Sequence, residues 1–209
     1  MYKIYQMDTI QLENPEIFEK YYKEVSKERR QKADQFRRAK DKRLSLAAGV
    51  LFSQGLKEYG ISGKQVQVAE GENGKPYLID YPDIYFNISH SEQKVLVVFS
   101  DVEIGCDIEY ATEMKGLELA EKFFCKPEYD YIVSQEEKEQ TAAFYRLWTL
   151  KESFLKATGL GLKLPLNHFC IKIEEGIQVE QQINKKKYCF KEWREGEYQA
   201  AICMPARDK

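Results

Sequence analysis

The stretch Phe144-Tyr-Arg-Leu-Trp-Thr-Leu-Lys-Glu-Ser-Phe-Leu-Lys156, closing at Ala157-Thr158-Gly159, has the spacing of an amphipathic helix. Ala143, Leu147, Leu150, Phe154 and Ala157 recur at steps of four and three, so they share one stripe that can be buried. Gly159 and Gly161 supply the stop, because glycine enters the left-handed cap conformation at little cost. Tyr145, Trp148, Glu152 and Lys156 fall on the opposite face, where Glu152 and Lys156 are neighbours four residues apart. A solvated face with one ion pair worth about 0.3–0.5 kcal/mol is the plain reading of that side. Trp148 between the two faces argues instead that something covers it.

The 209-residue chain is long enough for a real core, and its hydrophobic content of 43% with 32% charged residues is that of a soluble globular protein. A net charge of −2 excludes a generally basic, polyanion-coating protein. Five scattered cysteines without a C-x-x-C pair predict reduced thiols in the cytoplasm rather than a disulfide framework or zinc site. The N-terminus has no signal-peptide character, and no apolar run is long enough to span a membrane.

Outward from the helix, Ile104-Gly-Cys-Asp-Ile-Glu109 reads as a strand. Alternation sends Ile104, Cys106 and Ile108 to the core, and Gly105, Asp107 and Glu109 to the other face. Two carboxylates about 7 Å apart on a strand repel unless a cation lies between them. Such hard oxygen ligands suit Mg²⁺, and Gly105 leaves room for a ligand against the backbone. An exposed alternating strand is the competing reading. Phe86-Asn-Ile-Ser-His-Ser91, before the apolar strand Lys94–Ser100, reads as turn chemistry, with His90 able to donate to an anion. In Gly74-Lys-Pro76, Lys75 beside a rigid proline is either a loop residue or a point charge for a phosphate.

Between Lys27 and Arg43 nine basic residues face three acids, with Ala33, Phe36 and Ala39 at helical spacing. This is either a solvated helical face or an anion site in which Arg29, Lys32 and Arg43 reach a phosphate. Leu44–Tyr59 reads as a second amphipathic helix stopped by Gly60. Elsewhere, residues 2–10, 66–69, 169–174, 177–181, 187–193 and 198–204 read as strands, and 15–25 and 117–124 as helices, with a further short helix opening at Pro127. Helices ending at Gly60 and Gly159, 99 residues apart, each precede a run of strands. The expected fold is therefore α/β of the α+β kind. Two similar halves of helix plus antiparallel sheet, 1–101 and 102–209, pack about a pseudo-two-fold axis with a ligand cleft between them.

Carboxylates for Mg²⁺, cations for phosphates, and Glu152 one turn before Lys156 together make a phosphoryl-transfer set. P-loop and protein-kinase motifs are absent. Gly74-Lys-Pro76, Phe86-Asn-Ile-Ser-His-Ser91, Ile104-Gly-Cys-Asp-Ile-Glu109 and Trp148-Thr-Leu-Lys-Glu-Ser-Phe-Leu-Lys156 resemble, in order and spacing, the motifs of the 4′-phosphopantetheinyl transferases of the long, surfactin-synthetase-activating type.

The resemblance implies Mg²⁺-dependent transfer of 4′-phosphopantetheine from coenzyme A to a serine of an apo acyl or peptidyl carrier protein, releasing 3′,5′-ADP, by a cytoplasmic monomer. The carriers would serve fatty acid, polyketide or nonribosomal peptide synthesis. It implies that Asp107, Glu109 and Glu152 hold Mg²⁺, or Mn²⁺ in its place. Glu152 would take the serine proton and Lys156 would stabilise the departing phosphate. Lys75, Pro76, Ser89 and His90 would line the coenzyme A site, with Arg43, Arg29 and Lys32 at the 3′-phosphate. Two positions depart from the family's pattern: Arg29 stands where a lysine is frequent, and Leu44 separates Arg43 from Ser45. The carrier surface is expected near residues 112–130, with Met114, Leu117 and Phe124. The rival readings are a metal-dependent phosphohydrolase or nucleotidyltransferase, a nucleic-acid-binding basic helix, and a catalytically silent carrier-protein binder, against which the intact Asp107, Glu109, Glu152 and Lys156 count. The negative remainder of the chain and the lack of aromatics around 27–43 beyond Phe36 count against the second.

Overall fold

The computed structural model describes residues 1–112, 116–174 and 176–207. Its elements, in chain order, are β1 (Tyr2–Asp8), α1 (Pro15–Glu24), α2 (Lys27–Asp34), α3 (Ala39–Lys57), β2 (Val68–Glu70), β3 (Pro76–Leu78), β4 (Tyr85–Ser91) and β5 (Lys94–Ser100). There follow β6 (Gly105–Tyr110), α4 (Gly116–Phe123), α5 (Lys126–Val133), α6 (Glu137–Thr158), β7 (Cys170–Ile173), β8 (Ile177–Glu180), β9 (Tyr188–Glu195) and β10 (Tyr198–Pro205). All strand pairs are antiparallel: one sheet has the order β1-β5-β4, a second β6-β10-β9, and β2-β3 and β7-β8 are separate hairpins. The mixed helix-and-antiparallel-sheet class is the one the sequence predicts.

Alternation within the strands builds three cores. Val95, Val97 and Phe99 of β5 pack on Leu44, Ala47, Ala48, Leu51 and Phe52 of α3. The alternate residues Leu96 and Val98 meet Cys106 and Ile108 of β6 and Ala200 and Ile202 of β10, joining the two sheets. On the far side, Ala201 and Cys203 of β10 receive the stripe Ala143, Leu147, Leu150, Phe154 and Ala157 of α6. Each three-stranded sheet thus carries one long helix on its outer face. Gly159 ends α6 with φ 70°, as its position predicts. Trp148 is covered by Phe124 and Phe144, with ring centroids 6.3 and 5.6 Å away.

Three expectations change. Phe86–Ser91 is the strand β4, not a turn, and Glu92 and Gln93 alone form the hairpin tip, with Glu92 at φ 49°. Its polar residues are held in the ladder by pairing with the fully buried β5, a long-range partner that outweighs local turn chemistry. The basic stretch is two helices, because α2 ends at Asp34 and Arg38 is extended (φ −84°, ψ 130°) before α3 begins at Ala39, five residues before the expected start. Cys125 and Cys170 form a disulfide, Cα–Cα 6.0 Å, where the sequence predicts free thiols throughout; Cys106, Cys189 and Cys203 are free. Their 45-residue separation conceals the pairing. Among the described residues no helix is long and apolar enough to cross a membrane.

Candidate active site

The seam between the two sheets lies between β4 and β6, which are adjacent but form no ladder. Side chains bridge it: the Cys106 amide donates to Asn87 Oδ1 (2.9 Å) and the Tyr110 amide to Ser91 Oγ (3.1 Å). Between these bridges the two strands turn polar residues toward each other. Ser89 Oγ donates to Asp107 Oδ1 at 2.8 Å, and Ser91 Oγ to Glu109 Oε2 at 2.8 Å. Period-two alternation on both strands aligns Asn87, Ser89 and Ser91 with Asp107 and Glu109.

Helix α6 closes the third side. Lys156 Nζ donates to Asp107 Oδ1 (2.6 Å) and to Ser89 Oγ (3.0 Å). Glu152 lies one turn earlier and makes no hydrogen bond or ion pair among the described residues. The approach of α6 to β6 depends on Gly105. A Cβ there would stand 2.1 Å from the Ser153 carbonyl oxygen and 2.2 Å from the Ala157 nitrogen. Gly105 therefore admits a helix, where the sequence reading had it admit a ligand.

Burial and mutual repulsion shift these groups. Burial first, then the Asp107 charge, pushes the Glu109 carboxyl up to about 7. Burial and Asp107 raise Glu152 in the same way. Burial works against the charge on Lys156, but Asp107 and the other nearby acids outweigh it and keep the ammonium. Asp107 Oδ2 is buried and has no hydrogen-bond partner among the described residues. Asp107 and Glu109 of β6 and Glu152 of α6 face one seam close enough to repel one another, although their oxygens do not all lie within 4.8 Å of each other. As hard oxygen donors, one with an orphaned buried oxygen, they are the residue types a hard divalent cation takes.

The opposite face of β4 forms a second feature. Phe86, Ile88 and His90 line a cavity of about 350 Å³, together with Arg29 and Lys32 of α2, Asp41, Ser45 and Ala48 of α3, and Gly74 and Pro76. Arg29 lies across α3 where Gly49 leaves space, and burial pushes its guanidinium pKa down. Among the described residues neither Arg29 nor Lys32 has an ion-pair partner. The neighbouring Lys40, Lys42 and Arg43 pair with Glu92, Asp34 and Glu13. β4 is thus a shared wall, with a cavity edged by free cations on one face and the carboxylates on the other.

Pro76, His90, Arg29 and Lys32 join the cavity, while Ser89 joins the carboxylates. Arg43 does neither: at 100° per residue it points away from the Asp41–Ser45–Ala48 face and is held by Glu13 at 2.9 Å. Lys75 does not line the cavity either. It donates to the Ala157 carbonyl (3.1 Å) and pairs with Glu103, capping the C-terminus of α6. Ser45, whose Oγ is buried without a partner in the cavity wall, is a residue the sequence reading did not assign. Its position, four residues after Asp41 on the cavity face, was the available signal. A wide groove of about 880 Å³ runs from Gly116, Leu117 and Glu118, inside the expected carrier-facing region, to Glu137, Thr141 and Tyr145 of α6, outside it. Met114 lies outside the described residues, and Phe124 is buried against α6.

Residues 103–203 match the sequence model described as 4′-phosphopantetheinyl transferase superfamily, and residues 13–102 match that described as 4′-phosphopantetheinyl transferase, N-terminal. Over 212 residues the chain is 34% identical to 4′-phosphopantetheinyl transferase Sfp of Bacillus subtilis (strain 168), covering 100% of this chain and 93% of that protein. It is 36% identical over 190 residues to 4′-phosphopantetheinyl transferase ffp of Bacillus subtilis, covering 88% and 84%. To 4′-phosphopantetheinyl transferase gsp of Aneurinibacillus migulanus it is 36% identical over 164 residues, covering 78% and 68%.

Proposed function

The chain belongs to the 4′-phosphopantetheinyl transferases, enzymes that move 4′-phosphopantetheine from coenzyme A to carrier proteins, and from that premise we propose how its own residues carry the transfer. Coenzyme A is the co-substrate. Its 3′-phosphate meets Arg29 and Lys32, the two cations of the cavity without an ion-pair partner among the described residues, with Ser45 Oγ as a further donor. Pro76 and His90 border the same cavity, and the pyrophosphate passes the end of β4 toward the carboxylates.

Asp107, Glu109 and Glu152 would hold Mg²⁺, which when bound would neutralise pyrophosphate charge. Glu152, which makes no hydrogen bond or ion pair with another described residue, accepts the proton of the carrier serine as the serine oxygen attacks the phosphorus that bears the pantetheine arm. Lys156, kept charged by Asp107, donates to the oxygen of the departing 3′,5′-ADP. Ser89 orients both Asp107 and Lys156 through its hydroxyl. The carrier docks at the groove between α4 and α6. The enzyme acts in the cytoplasm as a monomer whose two halves, 1–101 and 102–209, contribute the nucleotide cavity and the carboxylates.

The observation that carries this reading is the convergence of Asp107, Glu109, Glu152 and Lys156 at one seam, with Asp107 Oδ2 buried and unpaired. Intact-mass spectrometry of an apo carrier protein incubated with the enzyme, coenzyme A and Mg²⁺ tests it. The expected result is a gain of one phosphopantetheine, lost with chelator and lost in Asp107→Ala and Glu152→Gln. Near-normal turnover by either folded variant would overturn these assignments.

A further inference from the structure

Below the catalytic face of α6, a second polar cluster lies wholly inside the protein. Lys151 and Glu128 have fully buried side chains. Lys151 Nζ donates to Glu128 Oε1 (2.6 Å), Glu128 Oε2 (2.7 Å) and the Phe169 carbonyl (2.9 Å), using all three of its protons. Glu128 in turn accepts from the Ile171 amide at 2.7 Å and the Cys125 amide at 3.1 Å. The ion pair therefore clamps three elements: the start of α5, the start of β7 and the middle of α6, one residue from Glu152.

The disulfide joins the same two chain segments. Cys125 and Cys170 each follow a phenylalanine, and the rings of Phe124 and Phe169 lie 5.2 and 4.3 Å from Lys151 Nζ. Each cysteine is also a neighbour of a Glu128 hydrogen-bond donor, Cys125 through its own amide and Cys170 through that of Ile171. The clamp thus ties together the same two segments that the disulfide joins, whose Cα atoms lie 6.0 Å apart, inside the range a disulfide needs. Both cysteines are only half-buried, Cys125 sits at the N-cap of α5, and Cys170 lines an open surface groove. Cys106 and Cys203, by contrast, are fully buried and burial pushes both thiols up, Cys106 to about 12.

We propose that Cys125 and Cys170 are a reversible thiol–disulfide modification site, pre-aligned by the Lys151–Glu128 pair, whose oxidation adds a covalent fastening at the base of the catalytic helix. The oxidant class is a low-molecular-weight disulfide. The Cys125 thiolate attacks one of its sulfurs and expels one small thiolate. The Cys170 thiolate then attacks Cys125 Sγ in the mixed disulfide and expels the second. Two electrons pass from the protein to the small disulfide, which leaves as two thiols carrying the two protons of the cysteines. Excess small thiol reverses the sequence. Oxidation closes a loop between residues 45 apart, so it raises thermal stability. Transfer activity stays within about twofold, because Lys151 and the sulfurs lie off the face that bears Glu152 and Lys156.

The test is to equilibrate the purified full chain with oxidised glutathione or with dithiothreitol. Thiols are then counted in denaturant, the disulfide is mapped by peptide mass spectrometry, and melting is recorded. The expected result is three thiols and a Cys125–Cys170 peptide after oxidation, five thiols after reduction, and a melting temperature about 5–10 °C higher when oxidised. Cys125→Ser/Cys170→Ser should melt with reduced wild type and ignore dithiothreitol. Should that variant not fold, the wild-type comparison alone decides. Five thiols after oxidation, stable glutathione adducts in place of the internal bond, or identical melting in both states would each overturn the proposal.

Discussion

On the proposed reading, in which Asp107, Glu109 and Glu152 take Mg²⁺, the proton on Glu109 sets when the cation can bind. In the metal-free protein this carboxyl is pushed to about 7, by burial and then by Asp107, from an ordinary value of 4.5. Ligation requires the carboxylate, so affinity follows its ionised share: about 10% at pH 6, half at pH 7 and about 90% at pH 8. Mg²⁺ affinity should therefore rise about tenfold from pH 6 to pH 8, with most of the gain below pH 7, and binding at pH 7 should release about half a proton. Glu152, raised in the same sense, steepens the dependence without reversing it. Isothermal titration calorimetry in two buffers of different protonation enthalpy measures both quantities. Glu109→Gln should bind more weakly at pH 8 and lose most of the slope.

The same shift acts on stability. A carboxyl whose folded pKa lies above its unfolded value stabilises the fold while it is protonated. That contribution is whole below pH 4.5 and is lost as pH rises through about 7. Its ceiling is about 3 kcal/mol, less with solvent screening. Metal-free protein should thus melt lower at pH 8 than at pH 5.5, and Mg²⁺ should narrow the gap. An affinity independent of pH from 6 to 8, or binding that releases no proton, would refute the reasoning.

Lys151→Met should leave the Glu128 carboxylate buried with only two backbone donors. The expected loss is about 3–5 kcal/mol, or a melting drop of about 10 °C, measured by thermal unfolding under reducing conditions. Adding Glu128→Gln should recover about half of it, and strict additivity in that double-mutant cycle would count against a coupled pair. In steady-state kinetics Arg29→Ala should raise the coenzyme A KM about tenfold, and Ser45→Ala less, as expected for contacts to a phosphate. Arg43→Ala, whose partner is Glu13, should leave KM within about twofold. Gly105→Ala must push α6 off β6, costing about 2–3 kcal/mol in denaturant unfolding, and should lower kcat more than it raises KM.

Local patterns carried much of this protein. The stripe of α6, its stop at Gly159, and the alternation that sets Asp107 and Glu109 against Cys106 and Ile108 follow from helix and strand periods alone, so they are visible in the amino-acid order. The same holds for the helix-plus-antiparallel-sheet class. Other features depend on residues far apart in sequence. Phe86–Ser91 has the composition of a turn and becomes a strand only by pairing with β5. Gly105 looks like room for a ligand until α6, some fifty residues later, fills it. Arg43 and Ser45 differ by two positions and look equally suited to a phosphate, yet helix rotation and Glu13 send one away and leave the other in the cavity wall. The sequence reading assigns Lys151 no role. Only packing against Glu128, Phe124 and Phe169 puts it inside, and only that packing brings Cys125 to Cys170. Period and propensity act over a few residues and are written in the chain itself. Burial, ion pairing and disulfide geometry depend on which distant segments meet, and that is decided in three dimensions.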